Sequence, residues 1–220
     1  MFDRFTEIDD LTRRQHSFLT AEDRCFYLGE YIKDSPYSES RTTSIIHNIK
    51  KKLDQKGRPG WHYKEKDISF VANEIARILG KNGLEHGAFV PVPPSYAKDN
   101  PLYDDRLIRL LQLAGRGTSM DVRELLILTE TMQASHESQQ RPNVQELYQR
   151  LKLNEELANP EPASIILFDD LLTTGAHFKA AKRKLLERFP TREVVGIFIA
   201  RRVLPSPIDD FEENSTGEGS

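Results

Sequence analysis

Apolar positions along the chain alternate between short unbroken runs and helical spacings, which predicts strands and helices following one another in an α/β arrangement. Ser164–Phe168 is an apolar run with β-branched Ile165 and Ile166, the pattern of a strand buried on both faces. Arg192–Ala200 (REVVGIFIA) has the same character. Ala88–Val92 is a shorter strand that breaks at VPVPPSYAKDNP, where Pro91, Pro93, Pro94 and Pro101 make a stiff loop. Asp67–Leu79 spaces Ile68, Val71, Ile75, Ile78 and Leu79 as a helix does and ends at Gly80. Leu102–Ala114, Val144–Leu157 and Ala176–Phe189 also read as helices, whereas Val122–Leu128 fits strand or helix.

Nearer the N-terminus, Thr20–Asp23 reads as an N-cap and acidic first turn opening a helix that carries Cys25, Phe26, Leu28 and Ile32. Ser44–Leu53 is expected as a helix with Ile45, Ile46, Ile49 and Leu53 on one face and Lys50–Lys52 on the other. That lysine triplet reads as a solvated face, with a phosphate- or nucleic-acid-contacting patch as the alternative. The Trp61 and Tyr63 loop beside it is expected to cover the sheet edge, or to stack a single-stranded nucleic acid. Met1–Gln15 is expected as a loosely docked arm or short helix, and Asp34–Glu39 as a turn. Thr129–Pro142 is expected as a mobile surface loop. The resulting division is an N-terminal helical extension over 1–65, an α/β domain over 66–205 and a disordered acidic tail over 206–220.

Composition narrows the classes. The chain has 220 residues, 38% of them hydrophobic, which suits one domain with decorations. A net charge of −3 lacks the global basic footprint of a nucleic-acid binder. The single cysteine, Cys25, excludes an intrachain disulfide and reads as a small buried hydrophobe. No apolar run approaches the roughly 20 residues that span a bilayer, and the first residues lack a signal-peptide core. The expectation is a cytoplasmic protein that does not enter a membrane.

Candidate chemistry concentrates after the Ser164–Phe168 strand. Asp169 and Asp170 stand at its end, then Thr173-Thr174-Gly175 leads into a helix. In a parallel sheet the crevice beyond the strand C-termini holds ligands, and a helix N-terminus there suits a phosphate. The threonine hydroxyls add donors, and Gly175 lets the backbone approach closely. Sugar hydroxyls or a hydrated Mg²⁺ are natural partners for carboxylates beside such a cradle.

The string FDDLLTTGA resembles the phosphoribosyl-pyrophosphate (PRPP) motif of type I phosphoribosyltransferases. The likeness extends over about Cys25–Arg202 to the ComF-like group, through PVPPS at Pro91–Ser95 and Gln133, Arg141 and Asn143. The resemblance implies a phosphoribosyltransferase-like parallel sheet flanked by helices and Mg²⁺-dependent transfer of ribose 5-phosphate from PRPP. It puts Asp169 and Asp170 on the ribose and the metal, as catalytic residues. It puts Leu171, Leu172, Thr173, Thr174, Gly175, Ala176 and His177 around the 5′-phosphate, with Pro94, Ser95 and Lys98 on a second ligand loop. Arg123 and Arg141 are candidate pyrophosphate contacts from a lid, or surface arginines paired with local acids.

The chain departs from that group in three places. It has no four-cysteine zinc element, His177 stands where threonine is usual, and NPLYDDR lacks the group's Arg-Gly after the proline loop. Lys98, Arg106 and Arg109 are the candidate substitutes for that arginine. The alternative to a transferase is a module that senses PRPP or a nucleotide without turnover, or associates with nucleic acid. The acceptor, a protein partner and a homo-oligomer are left open.

Overall fold

Six strands build the central sheet of the computed structural model, which describes residues 1–33, 40–129 and 143–204. They are β1 (Thr6–Glu7), β2 (Cys25–Ile32), β3 (Ala88–Pro91), β4 (Asp121–Val122), and, after a separate antiparallel pair β5 (Leu126–Leu128) and β6 (Leu151–Leu153), β7 (Ile165–Leu172) and β8 (Val194–Val203). Across the sheet they lie in the order β1-β2-β8-β7-β3-β4, parallel except for the edge strand β1. The helices are α1 (Asp10–Arg13), α2 (Arg41–Ile49), α3 (His62–Leu84), α4 (Arg106–Ala114), α5 (Val144–Arg150) and α6 (Ala176–Arg188). The expected α/β class with a mostly parallel, helix-flanked sheet is therefore present.

Strand alternation sorts the core into two layers. Ile165 and Leu167 of β7 pack with Leu147, Phe178 and Leu185 on the α5–α6 side. Ile166 and Phe168 pack with Ile45, Ile68, Ile75 and Leu110 on the side of α2, α3 and α4. Helix α4 carries the chain from β3 out to β4, while α6 carries it from β7 the other way to β8. Right-handed crossovers in opposite directions must lie on opposite faces. The two helices thus diverge between β3 and β7, leaving a crevice beyond the C-termini of those strands.

Several elements differ from expectation. Cys25–Ile32 is a strand rather than a helix, because Phe26, Tyr27, Tyr31 and Ile32 favour extended backbone and β2 gains a long parallel ladder with β8. The first 65 residues accordingly add two strands to the sheet instead of forming a purely helical and loop extension. Met1–Gln15 is docked: β1 pairs with β2, Ile8 is buried, and the Phe2 N–H donates to Glu74 at 2.7 Å. Helix α3 begins at His62 rather than Asp67, and it breaks where expected, at Gly80, whose φ of 61° would strain a side chain; a further helical stretch follows to Leu84. Val144–Leu157 is helical only to Arg150, since Leu151 turns extended to pair with Leu128. Helix α2 starts at Arg41 and ends at Ile49 rather than spanning Ser44–Leu53, α4 begins at Arg106 rather than Leu102, and Val122–Leu128 divides between β4 and β5. Cys25 is fully buried, and burial pushes its thiol pKa up to about 12, so it behaves as a hydrophobe. The turn at 34–39, the loop at 130–142 and the acidic tail lie outside the described residues.

One buried acid anchors the N-terminal arm to α6. Asp23 is 2% exposed and accepts from Lys179 at 2.6 Å, Lys182 at 2.8 Å and the Thr20 N–H at 2.9 Å. Burial alone would raise its pKa; the two ammonium partners outweigh that and bring it to about 2. A carboxyl depressed in the folded state stabilises fully above its ordinary pKa, and that contribution disappears as pH falls toward 2. Asp23→Asn should lower stability at pH 7 by about 2 kcal/mol. In thermal melts its difference from wild type should close between pH 4 and 2; a pH-independent difference would contradict the assignment.

Candidate functional site

A cleft beyond the end of β7 brings together most, but not all, of the residues expected to act there. Strand β7 does not stop at Phe168 but continues through the acidic pair to Leu172. Asp169 and Asp170 consequently point to opposite faces, as neighbours in a strand must. Asp169 lines a cleft of about 210 Å³ together with Leu171, Leu172, Thr173, Thr174, Gly175, Ala176 and His177. All the residues expected at a phosphate are therefore on one cavity, with one carboxylate beside them.

The cradle is shaped by Gly175, which has φ 85° as the residue before α6. A Cβ at this position would meet the Leu19 side chain at 2.8 Å, so both conformation and packing require glycine. Helix α6 begins with no side-chain cap, which leaves its first amides and its positive dipole end toward the cleft. Among the described residues the Ala176 N–H has a weak local acceptor, the Thr174 Oγ1 at 3.4 Å. His177 keeps an exposed edge; surrounding protein and the Lys50 charge nevertheless lower its pKa, so its ring is a neutral donor or acceptor.

Asp170 is 2% exposed and engaged by two cations. Its Oδ1 accepts from Lys50 at 2.9 Å, and its Oδ2 from Arg106 Nε and Nη2 at 3.0 and 2.6 Å. Arg106 also meets Asp104 at 3.2 Å, and Asp104 accepts from the fully buried Lys64 at 2.6 Å. The Lys64 ammonium completes its shell with the carbonyls of Ile49 and Lys51, each at 2.7 Å. Burial would raise the Asp170 pKa, but Lys50 and Arg106 override it and hold the group ionised well below the carboxylate range. Burial and the adjacent Asp170 charge push Asp169 the other way.

The expected lysine face is thus only partly solvated. Lys50 reaches Asp170, and its charge also acts on Asp169 and His177. Lys51 is bound to Asn48 Oδ1 at 2.6 Å and the Gly60 carbonyl at 2.7 Å. The sequence offers Lys50 at the site only within the triplet's alternative reading; no local signal distinguishes it from its neighbours, because its partner lies 120 residues away.

Other expected residues lie elsewhere. Lys98 pairs with Glu124 at 2.6 Å, and Pro94 and Lys98 line a second cleft with Tyr96, Tyr103, Glu124 and Leu126. Ser95 is exposed on the same loop. Arg109 pairs with Glu65 and Asp105, so of the three substitute cations only Arg106 reaches the acidic pair. Arg123 holds Asp121 and the carbonyls of Leu157 and Pro160, the structural role that was its alternative. Asn143 caps α5 by accepting from the Glu146 N–H at 2.9 Å. Gln133 and Arg141 lie outside the described residues. A small cavity bounded by Val92, Pro93, Leu128, Leu147 and His177 separates the two clefts and shares walls with both.

No set of three metal-ligating side chains is clustered among the described residues, and no described helix is long and apolar enough to cross a membrane. No family model matches the chain, and no curated protein matches it significantly in sequence.

The two acids should separate on substitution. Asp170→Asn leaves Lys50 and Arg106 facing a neutral amide and should lower stability by about 3 kcal/mol. Asp169→Asn relieves repulsion at neutral pH and should change stability by less than about 1 kcal/mol, in either direction. Urea unfolding at pH 7 measures both; equal losses would contradict the division of roles.

Proposed function

We propose that the chain binds PRPP in the Asp169–His177 cleft and transfers its ribose 5-phosphate group to an acceptor, releasing pyrophosphate. The observation that carries the reading is the placement of an uncapped helix N-terminus, two threonine hydroxyls and one carboxylate on a single cleft beyond the C-terminal end of β7. The amides of the cradle suit the 5′-phosphate dianion. Asp169 is placed to accept hydrogen bonds from the ribose hydroxyls and to favour positive charge developing on the ring. The acceptor would attack the anomeric carbon as its bond to the pyrophosphate oxygen breaks. Lys50 and Arg106 sit beside the acidic pair, where they favour the departing anion. The second cleft, walled by Pro94, Tyr96, Tyr103 and Leu126, suits a flat and partly apolar acceptor.

The donor set fits Mg²⁺ in the way that ion is usually held, by one carboxylate, here Asp169, with the remaining positions left to substrate phosphates and water. When bound, the ion would reduce the charge of the leaving pyrophosphate.

One observation favours the sensing alternative. Both Asp170 oxygens are occupied by Lys50 and Arg106, so a single carboxylate is open to the sugar. Calorimetry with PRPP, with and without Mg²⁺, tests binding. Wild type should bind more tightly with the ion, and Asp169→Asn should weaken binding about tenfold or more. Pyrophosphate release in the presence of amine and heterocyclic acceptors separates transfer from sensing. A folded wild type that binds no PRPP in either condition would overturn the reading.

A further inference from the structure

The phosphate cradle has a back wall that the motif does not contain. The segment from His16 to Leu19 contacts residues 173–175 and lines no part of the cleft. His16 is fully buried and its Nδ1 lies 2.5 Å from the Thr173 carbonyl oxygen. The Phe18 N–H donates to the Thr174 carbonyl at 2.9 Å, and the Leu19 side chain occupies the space beside the Gly175 Cα. Two consecutive carbonyls of the loop are therefore drawn toward the arm.

Peptide planarity turns this into a statement about donors. In a trans peptide unit the C=O and the following N–H point in opposite directions. With the Thr173 and Thr174 carbonyls on the arm, the N–H groups of Thr174 and Gly175 face away from it, toward the cleft that both residues line. Neither amide has an acceptor among the described residues. Successive amides converging on one side, ending at a residue with φ 85°, form an anion-binding concavity.

We infer that His16 is a positioning residue for the phosphate cradle: its Nδ1–H holds the Thr173 carbonyl back so that the Thr174 and Gly175 amides stay aimed at the ligand. The inference rests on the anion-binding reading of the cleft. The state of the ring supports it. Burial lowers the His16 pKa, so one nitrogen carries the proton, and a carbonyl partner requires that nitrogen to be Nδ1. Among the described residues the buried Nε2 atom has no hydrogen-bond partner, so the ring's one polar contact there is the loop carbonyl. A histidine serving only to fill space would be better replaced by a phenyl ring, which leaves no nitrogen unpaired. The arm is held in place independently of His16, by the contacts of Asp23 with Lys179 and Lys182.

The test compares His16→Asn, His16→Gln and His16→Phe. Asparagine puts an amide N–H where Nδ1 stands, glutamine puts it nearer Nε2, and phenylalanine has no donor. With inorganic phosphate and PRPP as probes, the asparagine variant should bind within about threefold of wild type, and the other two about tenfold more weakly, whatever their thermal stabilities. The Thr174 and Gly175 amide resonances should stay near their wild-type positions in His16→Asn and move in the other two. Should His16→Phe fail to fold, the glutamine variant carries the comparison. Binding that follows melting temperature rather than donor position would overturn the inference. A wild type that binds neither probe would overturn the anion reading instead; the positioning role would then stand or fall on the two amide resonances, and their invariance in His16→Gln would end it.

Discussion

A carboxylate buried in the middle of a parallel sheet has to be compensated, and much of this molecule is arranged around compensating Asp170. The side chain sits at the C-terminal end of β7 with almost no solvent contact, so its charge persists only because Lys50 and Arg106 meet it. Those partners come from the end of α2 and the start of α4. Asp104 and Lys64 extend the network to the first turn of α3, where Lys64 also binds the carbonyls that end α2. One ionic chain thus fixes three helices against one strand. Lys50 and Arg106 also act on Asp169, so the cations of this chain temper the charge of both adjacent acids.

Adjacent acids in a strand cannot share a task, and here they divide two. Asp170 serves the helical layer, and Asp169 is left to the cleft, where its neighbour's charge makes ionisation harder. A ligand that brings hydroxyl donors or a cation to Asp169 relieves that cost. The proposed sugar phosphate supplies such groups. The loop beyond the acids is clamped on the other side by the N-terminal arm, so the cleft is bounded by ion pairs on one face and backbone hydrogen bonds on the other.

The parts of this arrangement that depend on local pattern were legible in the sequence. The buried runs at Ile165 and Val194, the helix after Gly175 and the clustering of Asp169 with Thr173–His177 all follow from residues close in the chain. The strand at Cys25–Ile32 is hidden because Thr20–Asp23 has the composition of a helix start. Asp23 instead closes a turn on Thr20 and reaches across to α6, a contact spanning 156 residues that no local window contains. The strand at Leu151 is hidden for a similar reason, since it depends on pairing with Leu128. The roles of Lys50 and His16 were hidden because each is defined by a partner more than 100 residues away. Arg123 carried two readings from sequence, and its carbonyl partners decide between them.

The central claim is that the Thr174–His177 backbone is an anion cradle. Amide chemical shifts in a ¹⁵N-labelled sample titrated with PRPP and Mg²⁺ test it most directly. The account predicts saturable shifts at Thr174, Gly175, Ala176 and His177, smaller ones near Asp169, and none on the basic face of α6 at Lys182–Lys184. Shifts confined to the α6 lysines and arginines, or spread evenly over the surface, would mean that the cleft is not where the anion binds.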